Sequence, residues 1–300
     1  MKPTYLIQLL VLGILWGSSY LFIKVAVEGV DPATLVAGRL AIGSLFLVSM
    51  MRVTGLKLNF DRIAWFHITA MAAVGVVVPQ VLIAWSEQHV TSSVASILNA
   101  TTPFFTFLFA AGVFHTETFS RAKIAGLVVG FAGVGVLTGR EILDLATNSA
   151  QGQIALLLSS VGYGVAFAYA RRYMKGEPLA LASGQMLVST ALMIPGMLLF
   201  GNVGATQLTL TRVAAWLALG ALSSGVAYIL YYRLIAAVGA TTAAFGTYLI
   251  PVVGVFWGWL LLDEAVGSRT ILGVALILAG LGIATRIRRR SMPITQTEPS

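Results

Sequence analysis

One pattern occurs twice in this chain, and the duplication restricts the possible folds more than any other feature. Each copy has a proline within an apolar stretch, then a glutamate, then a glycine-rich apolar stretch. The matched positions are Pro103 and Pro251, Glu117 and Glu264, Gly126 and Gly273, Gly133 and Gly280, and Gly135 and Gly282. The glutamates and glycines recur 147 residues later, whereas the prolines lie 148 residues apart. The sequence therefore predicts two homologous units, with one residue gained or lost between them.

The composition indicates that both units lie in a membrane. Hydrophobic residues make up 58% and charged residues 10% of the 300 residues, and the mean hydropathy is +0.89. Soluble domains carry roughly 25% charged residues. The apolar stretches are ~18–24 residues long, enough for a helix to cross a hydrocarbon core of ~30 Å. We therefore expect an all-α membrane protein, and we interpret its first stretch as a retained span rather than a cleaved signal.

Ten apolar stretches predict ten transmembrane helices, five in each unit. They lie near residues 5–27, 33–52, 63–86, 92–114, 121–139, 152–172, 179–200, 211–235, 241–262 and 269–286. The predicted organisation is a first repeat at 1–140, an external linker at 141–151, a second repeat at 152–286 and a cytoplasmic basic tail at 287–300. Because five is odd, consecutive copies must have opposite orientations. Two inverted-topology repeats around a midplane site are typical of secondary transporters.

The distribution of positive charge predicts the orientation. With both termini in the cytoplasm, 14 of the 19 Lys and Arg residues fall on the inner side and five on the outer side, where Arg39 is placed near a helix end. This is the positive-inside bias of short loops, and it explains the net charge of +8 without nucleic acid. We expect a multi-pass protein of a bacterial inner (plasma) membrane. Its expected partners are the lipid bilayer and a small-molecule substrate, with monomer and dimer left open.

The order and spacing of short motifs resemble those of one family of membrane proteins. The motifs of the second unit are Ala227-Tyr228, Tyr231-Tyr232, Ala243-Ala244, Pro251 and Glu264, followed by the glycine-rich helix. The first unit repeats part of this order, and its opening helix contains Trp16-Gly17. Over residues 5–286 the chain resembles the drug/metabolite transporter superfamily, in its ten-span EamA-type branch, and most of all the aromatic amino acid exporters. Such families move amino acids, nucleotide sugars, metabolites and drugs, so the resemblance leaves the substrate open.

The opening helices of the two units carry aromatic pairs at equivalent positions. Trp16 and Tyr20 lie four residues apart in the first unit. Tyr163 and Phe167 have the same spacing in the second unit. Residues with this spacing share one face of a helix. We predict that both pairs line a central substrate cavity, with packing against neighbouring helices as the alternative.

Two prolines predict kinks at similar depth in the two units. Pro103 cannot donate to the carbonyl of Asn99, which leaves an acceptor near the membrane centre. Tyr248 lies close to Pro251 in the second unit. We predict that Asn99 and Tyr248 contact substrate and that the two prolines act as hinges. Interhelical hydrogen bonding with a kink, but without substrate contact, is the alternative.

Other residues of the apolar stretches complete the predicted site and its packing. Gln80 follows a proline in the third helix, and Tyr228 lies at mid-depth in the eighth. Both are predicted to face the cavity. Tyr231 and Tyr232 are placed near the inner interface, which tyrosine prefers. The glycines of the fifth and tenth helices predict close packing against the fourth and ninth.

Several chemical groups are missing from the sequence, and this narrows the function. No Asp or Glu is placed at mid-membrane, so a strongly cationic substrate has no counter-ion and no carboxylate proton relay is evident. The chain has no cysteine, no H-E-x-x-H motif and no nucleophile elbow. We therefore expect that the protein binds no metal or cofactor and that it is not an enzyme. Nucleotide sugars, as polyanions, need several cations at mid-depth, and the sequence places its cations near helix ends.

The sequence therefore predicts a secondary transporter that exports small neutral or zwitterionic solutes by alternating access. Aromatic walls favour solutes with rings or an ammonium group, so aromatic or other hydrophobic amino acids are the first candidates. A drug or other metabolite carrier of the same superfamily is one alternative, and a receptor or scaffold without transport is another. The predicted substrate-binding residues are Trp16, Tyr20, Gln80, Asn99, Tyr163, Phe167, Tyr228 and Tyr248.

Overall fold

The computed structural model describes residues 1–138, 149–262 and 267–285, and within these ranges the chain is helical with no β-strand. The helices of the first part are α1 (Pro3–Val27), α2 (Pro32–Thr54), α3 (Arg62–Ala72), α4 (Val78–Ser86), α5 (Ser92–Asn99), α6 (Thr102–Gly112) and α7 (Arg121–Thr138). Those of the second part are α8 (Ala150–Tyr173), α9 (Pro178–Phe200), α10 (Leu210–Ala218), α11 (Ala227–Val238), α12 (Ala240–Ala244), α13 (Leu249–Leu262) and α14 (Ser268–Thr285). Most of the predicted linker, Glu264 and the basic tail lie outside the described residues.

Within the described ranges, eight helices or helix runs are long and apolar enough to cross a membrane. They span Pro3–Val27, Pro32–Thr54, Arg62–Ser86, Val94–Gly112, Ala150–Tyr173, Pro178–Phe200, Leu210–Val238 and Ala240–Trp257. A shorter apolar helix covers Ser268–Ala284. These helices confirm the all-α class, and their length and apolar character fit the predicted membrane protein.

Clear local signals delimit helix α2, which later proves central to the site. The Asp31 side chain accepts a hydrogen bond from the backbone N–H of Thr34 at 2.9 Å, which satisfies one of the free donors of the first turn. Pro32 fits the first turn because no intrahelical partner is needed there. Gly55 ends the helix with a φ of 71°, a left-handed conformation that favours glycine.

Two of the helix runs contain a π-helical segment. Ala73–Val77 separates α3 from α4, and Leu219–Val226 separates α10 from α11. The two segments begin 146 residues apart, close to the repeat spacing in the sequence. A π segment widens the helix locally and releases backbone groups from regular pairing, which is why such segments are frequent at functional sites.

The fourth and ninth apolar stretches are interrupted near the predicted kinks. Pro103 lies in the first turn of α6, after a break that separates α5 from α6. Pro251 lies in α13, which follows a 3-10 segment at Phe245–Tyr248. The Asn99 carbonyl is not a free acceptor as expected, because the Thr102 hydroxyl donates to it at 2.7 Å.

The helix bounds recur along the chain. Helices α1 and α8 begin at Pro3 and Ala150, 147 residues apart. Helices α7 and α14 begin at Arg121 and Ser268, again 147 residues apart. Even the helix lengths match in the second pair, at 18 residues each. The two parts of the chain therefore form similar sets of helices.

Two glycines of α7 lie against two glycines of α14, whereas the sequence predicted that the glycines of these helices pack on the fourth and ninth stretches. A Cβ added at Gly126 would lie 2.8 Å from the Gly280 carbonyl oxygen, and one at Gly133 would lie 2.8 Å from the Gly273 carbonyl oxygen. Only glycine permits this backbone approach. A Cβ at Gly130 would meet the ring of Tyr248 from the ninth stretch, and a Cβ at Gly135 would meet nothing within 4 Å.

Cations at the ends of the two opening helices hold neighbouring helix ends. Lys24 Nζ donates to the Glu87 carbonyl oxygen at 3.0 Å, just after α4. Arg171 Nη1 donates to the carbonyl oxygens of Ile235 and Ala236 at 2.9 and 2.7 Å, in the last turn of α11. Positive charge at the carbonyl end of a helix is stabilising. Each unit thus ties its opening helix to a later one in the same way.

Candidate functional site

The helices enclose a cavity lined by aromatic and polar side chains. The volume of this cavity is about 40 Å³, counted as the space that the centres of water-sized spheres can reach. This is enough for a few water molecules. Its aromatic lining is Trp16, Tyr20, Tyr163, Phe167, Tyr228 and Tyr231. Its polar lining is Ser19, Arg39, Gln80, Asn99 and Thr247. Residues from both parts of the chain therefore share one space.

Seven of the eight residues predicted as substrate-binding lie in this cavity, and Tyr248 does not. The Tyr248 hydroxyl donates to the Leu127 carbonyl oxygen at 3.1 Å, and its ring packs on Gly130 of α7. The prediction placed Tyr248 in the site because it lies close to Pro251. Its side chain instead joins the ninth stretch to α7, so the structure gives it a packing role.

Trp16 stands at the centre of a group of rings. Its ring centroid lies 6.1 Å from that of Phe167 and 6.2 Å from that of Tyr228, both in edge-to-face geometry. Tyr231 lies 6.0 Å from Trp16 and 4.8 Å from Phe167. Edge-to-face pairs at such distances are favourable beyond the area that they bury. The rings from α1, α8 and α11 thus form one apolar wall of the cavity.

Tyr231 and Tyr232, which the sequence analysis placed near the membrane interface, are buried among the helices. Both are 3% exposed. Tyr231 lines the cavity, whereas the Tyr232 hydroxyl donates to Gln185 Oε1 at 2.5 Å. Helix α11 continues to Val238, three residues beyond the predicted end, so Tyr231 lies seven residues, or about 10 Å, inside it.

Arg39 is the main residue that the sequence analysis missed. It was placed near a helix end, but it lies seven residues into α2, about 10 Å from Pro32, and is 7% exposed. Its Nε donates to Ser224 Oγ at 2.8 Å. No described Asp or Glu forms an ion pair with it. An arginine inside an apolar stretch was itself a signal, because intramembrane charges usually mark functional sites.

Several polar atoms around the cavity have no hydrogen-bond partner among the described residues. They are both side-chain polar atoms of Gln80, Nδ2 of Asn99 and the Tyr231 hydroxyl. Tyr228 is near Gln80, but the two do not meet hydrogen-bond geometry. Buried polar atoms are normally paired with protein or water. These groups are therefore available to a molecule in the cavity.

The π segment between α10 and α11 positions two lining residues. The Ser223 carbonyl oxygen accepts from Trp16 Nε1 at 3.3 Å, while its hydroxyl donates to the Leu15 carbonyl oxygen at 3.0 Å. The adjacent Ser224 holds Arg39. The other π segment contributes Gly75 to the lining. Both interruptions of regular helix thus lie beside the cavity.

A second, wider cavity lies at one end of the helices. It offers about 720 Å³ on the same measure, and its ionisable lining residues are Lys2, His115, Glu117, Lys123 and Arg171. Glu117 Oε1 accepts from the Thr241 backbone N–H at 3.1 Å, and Glu117 Oε2 pairs with Lys123 at 2.5 Å. This carboxylate therefore joins the segment between α6 and α7 to the first turn of α12.

The geometry resembles no metal centre. Within the described ranges, no three His, Asp or Glu side chains are close enough to hold an ion. What the arrangement can do is hold a small molecule by ring contact, by hydrogen bonds and by one fixed positive charge. A multi-pass helical protein with such an enclosed site is of the class that moves small molecules across membranes.

Comparison with known proteins identifies the family. The EamA-like transporter family matches twice, at residues 3–139 and 150–286, so the chain belongs to that family and is a membrane transporter. This confirms the membership inferred from the motifs. The two matches also begin 147 residues apart, as the paired glutamates do.

Curated relatives span nearly the same length. The uncharacterized transporter YoaV of Bacillus subtilis is 24% identical over 278 residues, covering 91% of this chain and 93% of the relative. A probable terminal-alkyne amino-acid exporter of Streptantibioticus cattleyicolor is 29% identical over 293 residues, covering 95% of each. A solved crystal structure has a TM-score of 0.77 at 21% identity, covering 97% of this chain and all of that chain. At that identity, the structure supports the fold alone.

Proposed function

We propose that the protein is a secondary transporter that exports small zwitterionic or neutral organic solutes, with aromatic and other hydrophobic amino acids as the first substrate class. The observation that carries the proposal is the cavity itself. Its apolar wall comes from rings of both units, and unpartnered polar atoms face the same space. An amino acid with an apolar side chain needs both kinds of surface.

We further propose ten transmembrane helices in two repeats of opposite orientation, with both termini in the cytoplasm of a bacterium. The recurrence of helix bounds supports two copies, and an odd number of helices in each copy requires inversion. Ser44 of α2 and Thr190 of α9 support it further, because these residues are 146 positions apart and their hydroxyls lie 2.9 Å apart. Equivalent residues of two copies touch where the axis relating the copies passes between them.

Transport through this site requires the helices to move. The cavity has room for only a few waters, so an amino acid fits only after the helices separate. We propose that Pro103 and Pro251 lie at the hinges. Asn99 and Thr247 line the cavity next to the interruptions that precede these prolines, which supports bends beside the cavity. Rigid half-helices rocking about such points would open the cavity to each side in turn.

The amino-acid substrate has one further support, and one rival. The relative from Streptantibioticus cattleyicolor is described as a probable amino-acid exporter, and it matches this chain over almost its full length. A carrier of drugs or other metabolites is the rival, because rings and amides also suit those solutes. The receptor or scaffold without transport, which the sequence left open, is disfavoured because the chain belongs to a transporter family.

Flux into liposomes tests the proposal. Purified protein is reconstituted, and uptake of labelled tryptophan, phenylalanine and threonine is measured with and without a pH gradient, against protein-free liposomes. We expect saturable uptake of the two aromatic amino acids. Uptake that needs the gradient would keep the substrate and require a coupling site. Absence of flux for all three would remove the amino-acid proposal and favour the drug or metabolite carrier.

A further inference from the structure

The buried arginine of the cavity has more binding capacity than the protein uses. A guanidinium carries five N–H donors in a planar fork. The contact that Arg39 makes to a side chain is the Nε bond to Ser224, and no described carboxylate forms an ion pair with it. Removing a charge from water without an opposite charge is costly. A cation kept in this state inside a helical membrane protein calls for a partner that the described residues do not supply.

The equivalent position in the second unit holds a neutral residue. Helices α2 and α9 begin 146 residues apart, and at this spacing Arg39 corresponds to Gln185. Gln185 is also buried, but it is neutral, and each of its two side-chain polar atoms has a partner. Its Oε1 accepts from the Tyr232 hydroxyl at 2.5 Å, and its Nε2 donates to the Met71 carbonyl oxygen at 2.9 Å. A neutral amide therefore satisfies this position of the helix.

We propose that Arg39 binds the carboxylate of the transported solute, and that the substrates are monocarboxylates with an apolar body. The inference rests on the proposed transport function and specifies its substrate class. The planar guanidinium of arginine can donate two parallel N–H bonds to the two oxygens of a carboxylate. Such charge-assisted hydrogen bonds are stronger than bonds between neutral groups. The rings around Trp16 lie on the same cavity and receive the apolar body.

The remaining polar atoms of the cavity fit the other end of an amino acid. Gln80 Oε1 is a buried acceptor without a partner, and it lines the same space as Arg39. An ammonium group can donate to this oxygen and contact the faces of the tyrosine rings. The protein groups that contact the ammonium are uncharged, whereas the group that contacts the carboxylate is the charged Arg39. We therefore expect the carboxylate to contribute more to recognition than the ammonium.

The wide cavity at the end of the helices has a charge balance that suits the same substrate class. Three cations, Lys2, Lys123 and Arg171, line it together with the single carboxylate of Glu117. A concave surface with an excess of one charge raises the local concentration of opposite charge. Solutes that carry a carboxylate are accordingly favoured at this end.

A solute series with one common ring tests the carboxylate contact in the unmodified protein. Phenylalanine, 3-phenylpropionate, phenylalaninamide and phenethylamine are compared as competitors of labelled phenylalanine uptake in liposomes. The first two keep the carboxylate and the last two lack it. We expect the two carboxylates to compete at similar concentrations, and the amide and the amine to need at least about 10-fold more. Equal competition by all four would overturn the inference.

Three substitutions test whether Arg39 causes this discrimination. Arg39→Gln copies the residue of the second unit, Arg39→Lys keeps the charge without the fork, and Arg52→Gln is the matched control at an exposed position of the same helix. We expect Arg39→Gln to raise the KM for phenylalanine at least about 10-fold and to abolish the preference over phenylalaninamide. The KM and the preference of Arg39→Lys should lie between those of Arg39→Gln and the unmodified protein. Those of Arg52→Gln should match the unmodified protein.

The outcomes separate the inference from the proposed function. If the unmodified protein transports phenylalanine and Arg39→Gln keeps its preference for carboxylates, the inference is wrong and the transport proposal stands. If the unmodified protein transports none of the four solutes, both are wrong. Size-exclusion chromatography and thermal unfolding in detergent check that each variant folds. Should Arg39→Gln fail this check, the solute series and Arg39→Lys decide the question.

Discussion

The indole Nε1 of Trp16 donates to the carbonyl oxygen of Ser223 at 3.3 Å, across 207 positions of sequence. The acceptor lies in the π segment that precedes α11. The contact therefore fixes the central ring of the cavity to the other half of the protein. Because the adjacent Ser224 holds Arg39, one short irregular segment orients both the apolar and the charged part of the site.

Shortening Trp16 is expected to impair transport without unfolding the protein. Trp16→Ala removes three ring contacts, each worth about 0.5–1.5 kcal/mol, so we expect at least about a 10-fold loss of flux. Trp16→Phe keeps a ring but loses the hydrogen bond to Ser223, so its flux should lie between that of Trp16→Ala and that of the unmodified protein. Tyr163→Ala, at the equivalent position of the other unit, should also reduce flux.

The matched control for these variants is Trp259→Ala, because Trp259 is 52% exposed and lies away from the cavity. Flux and unfolding temperature in detergent are measured for these four variants and for the unmodified protein. Unchanged flux and substrate preference in both Trp16→Ala and Tyr163→Ala would leave only the packing interpretation of the aromatic pairs.

The sequence predicted the helical class and most of the cavity because those features follow regular periods. Aromatic pairs four residues apart share a helix face wherever a helix forms, so Trp16 and Phe167 were found without structural data. Arg39 and Tyr231 were misplaced for different reasons. Each lies seven residues inside its helix. The end of α11 was predicted three residues too early, an ordinary error for a boundary judged from hydropathy. The start of α2 was predicted within one residue of Pro32, so for Arg39 the error lay in judging how deep the side chain lies and not in the boundary. At about 1.5 Å per residue, the three-residue error places Tyr231 about 4.5 Å further from the end of α11 than predicted.

The irregular segments could not be predicted from hydropathy at all. A π turn, such as Ala73–Val77 or Leu219–Val226, uses residues of the same apolar kind as the helices around it. Its formation depends on what neighbouring helices offer to the released backbone groups, here the indole of Trp16. Tyr248 shows the same limit, because its position near a proline was visible but its contact with Gly130 was not.

Substitution of Pro103 is expected to slow turnover more than it weakens binding. In Pro103→Ala the new backbone N–H can restore a regular helix between α5 and α6, which stiffens the proposed hinge. We expect the maximal flux to fall several-fold and the KM for phenylalanine to stay within about twofold. Initial rates over a range of solute concentrations separate the two quantities.

The opposite pattern, a raised KM with unchanged maximal flux, would argue against a hinge at Pro103. It would indicate that the proline shapes the cavity through Asn99, whose carbonyl accepts from Thr102. Pro178→Ala is a suitable control, since this proline lies in the first turn of α9, where no bend is expected.

Protonation of Asp31 is expected to weaken the protein at acid pH. Partial burial raises the pKa of Asp31, but hydrogen bonds from Thr34 and from the Asn202 backbone together lower it below its ordinary value. A carboxyl whose pKa is lower in the folded than in the unfolded state stabilises the fold above the unfolded value of about 3.9. That stabilisation is lost as the pH falls through the folded pKa.

Comparison with Asp31→Asn measures this contribution. At about pH 7 the variant keeps a capping side chain but loses the negative charge at the helix N-terminus, so it should be less stable by roughly 0.3–1 kcal/mol. The difference should shrink as the pH is lowered below about 4, where the carboxylate of the parent protein becomes protonated. Thermal unfolding in detergent over this range gives the two curves. A difference that stayed constant to the lowest pH would show that ionisation of Asp31 does not contribute.

The seam between α7 and α14 is expected to tolerate no side chain at Gly280. A Cβ there would lie 2.5 Å from the Gly130 backbone nitrogen and 2.7 Å from the Gly126 carbonyl oxygen, and backbone atoms cannot rotate away. Such overpacking costs about 1–3 kcal/mol, so Gly280→Ala should lower the unfolding temperature.

Gly135→Ala is the control in the same pair of helices, because its Cβ would meet nothing within 4 Å. Alanine is the better helix former by up to about 1 kcal/mol, so this control should be neutral or slightly stabilising. Equal unfolding temperatures for the two variants would contradict the seam, whereas loss of stability in Gly280→Ala alone would support the helix pairing within one chain.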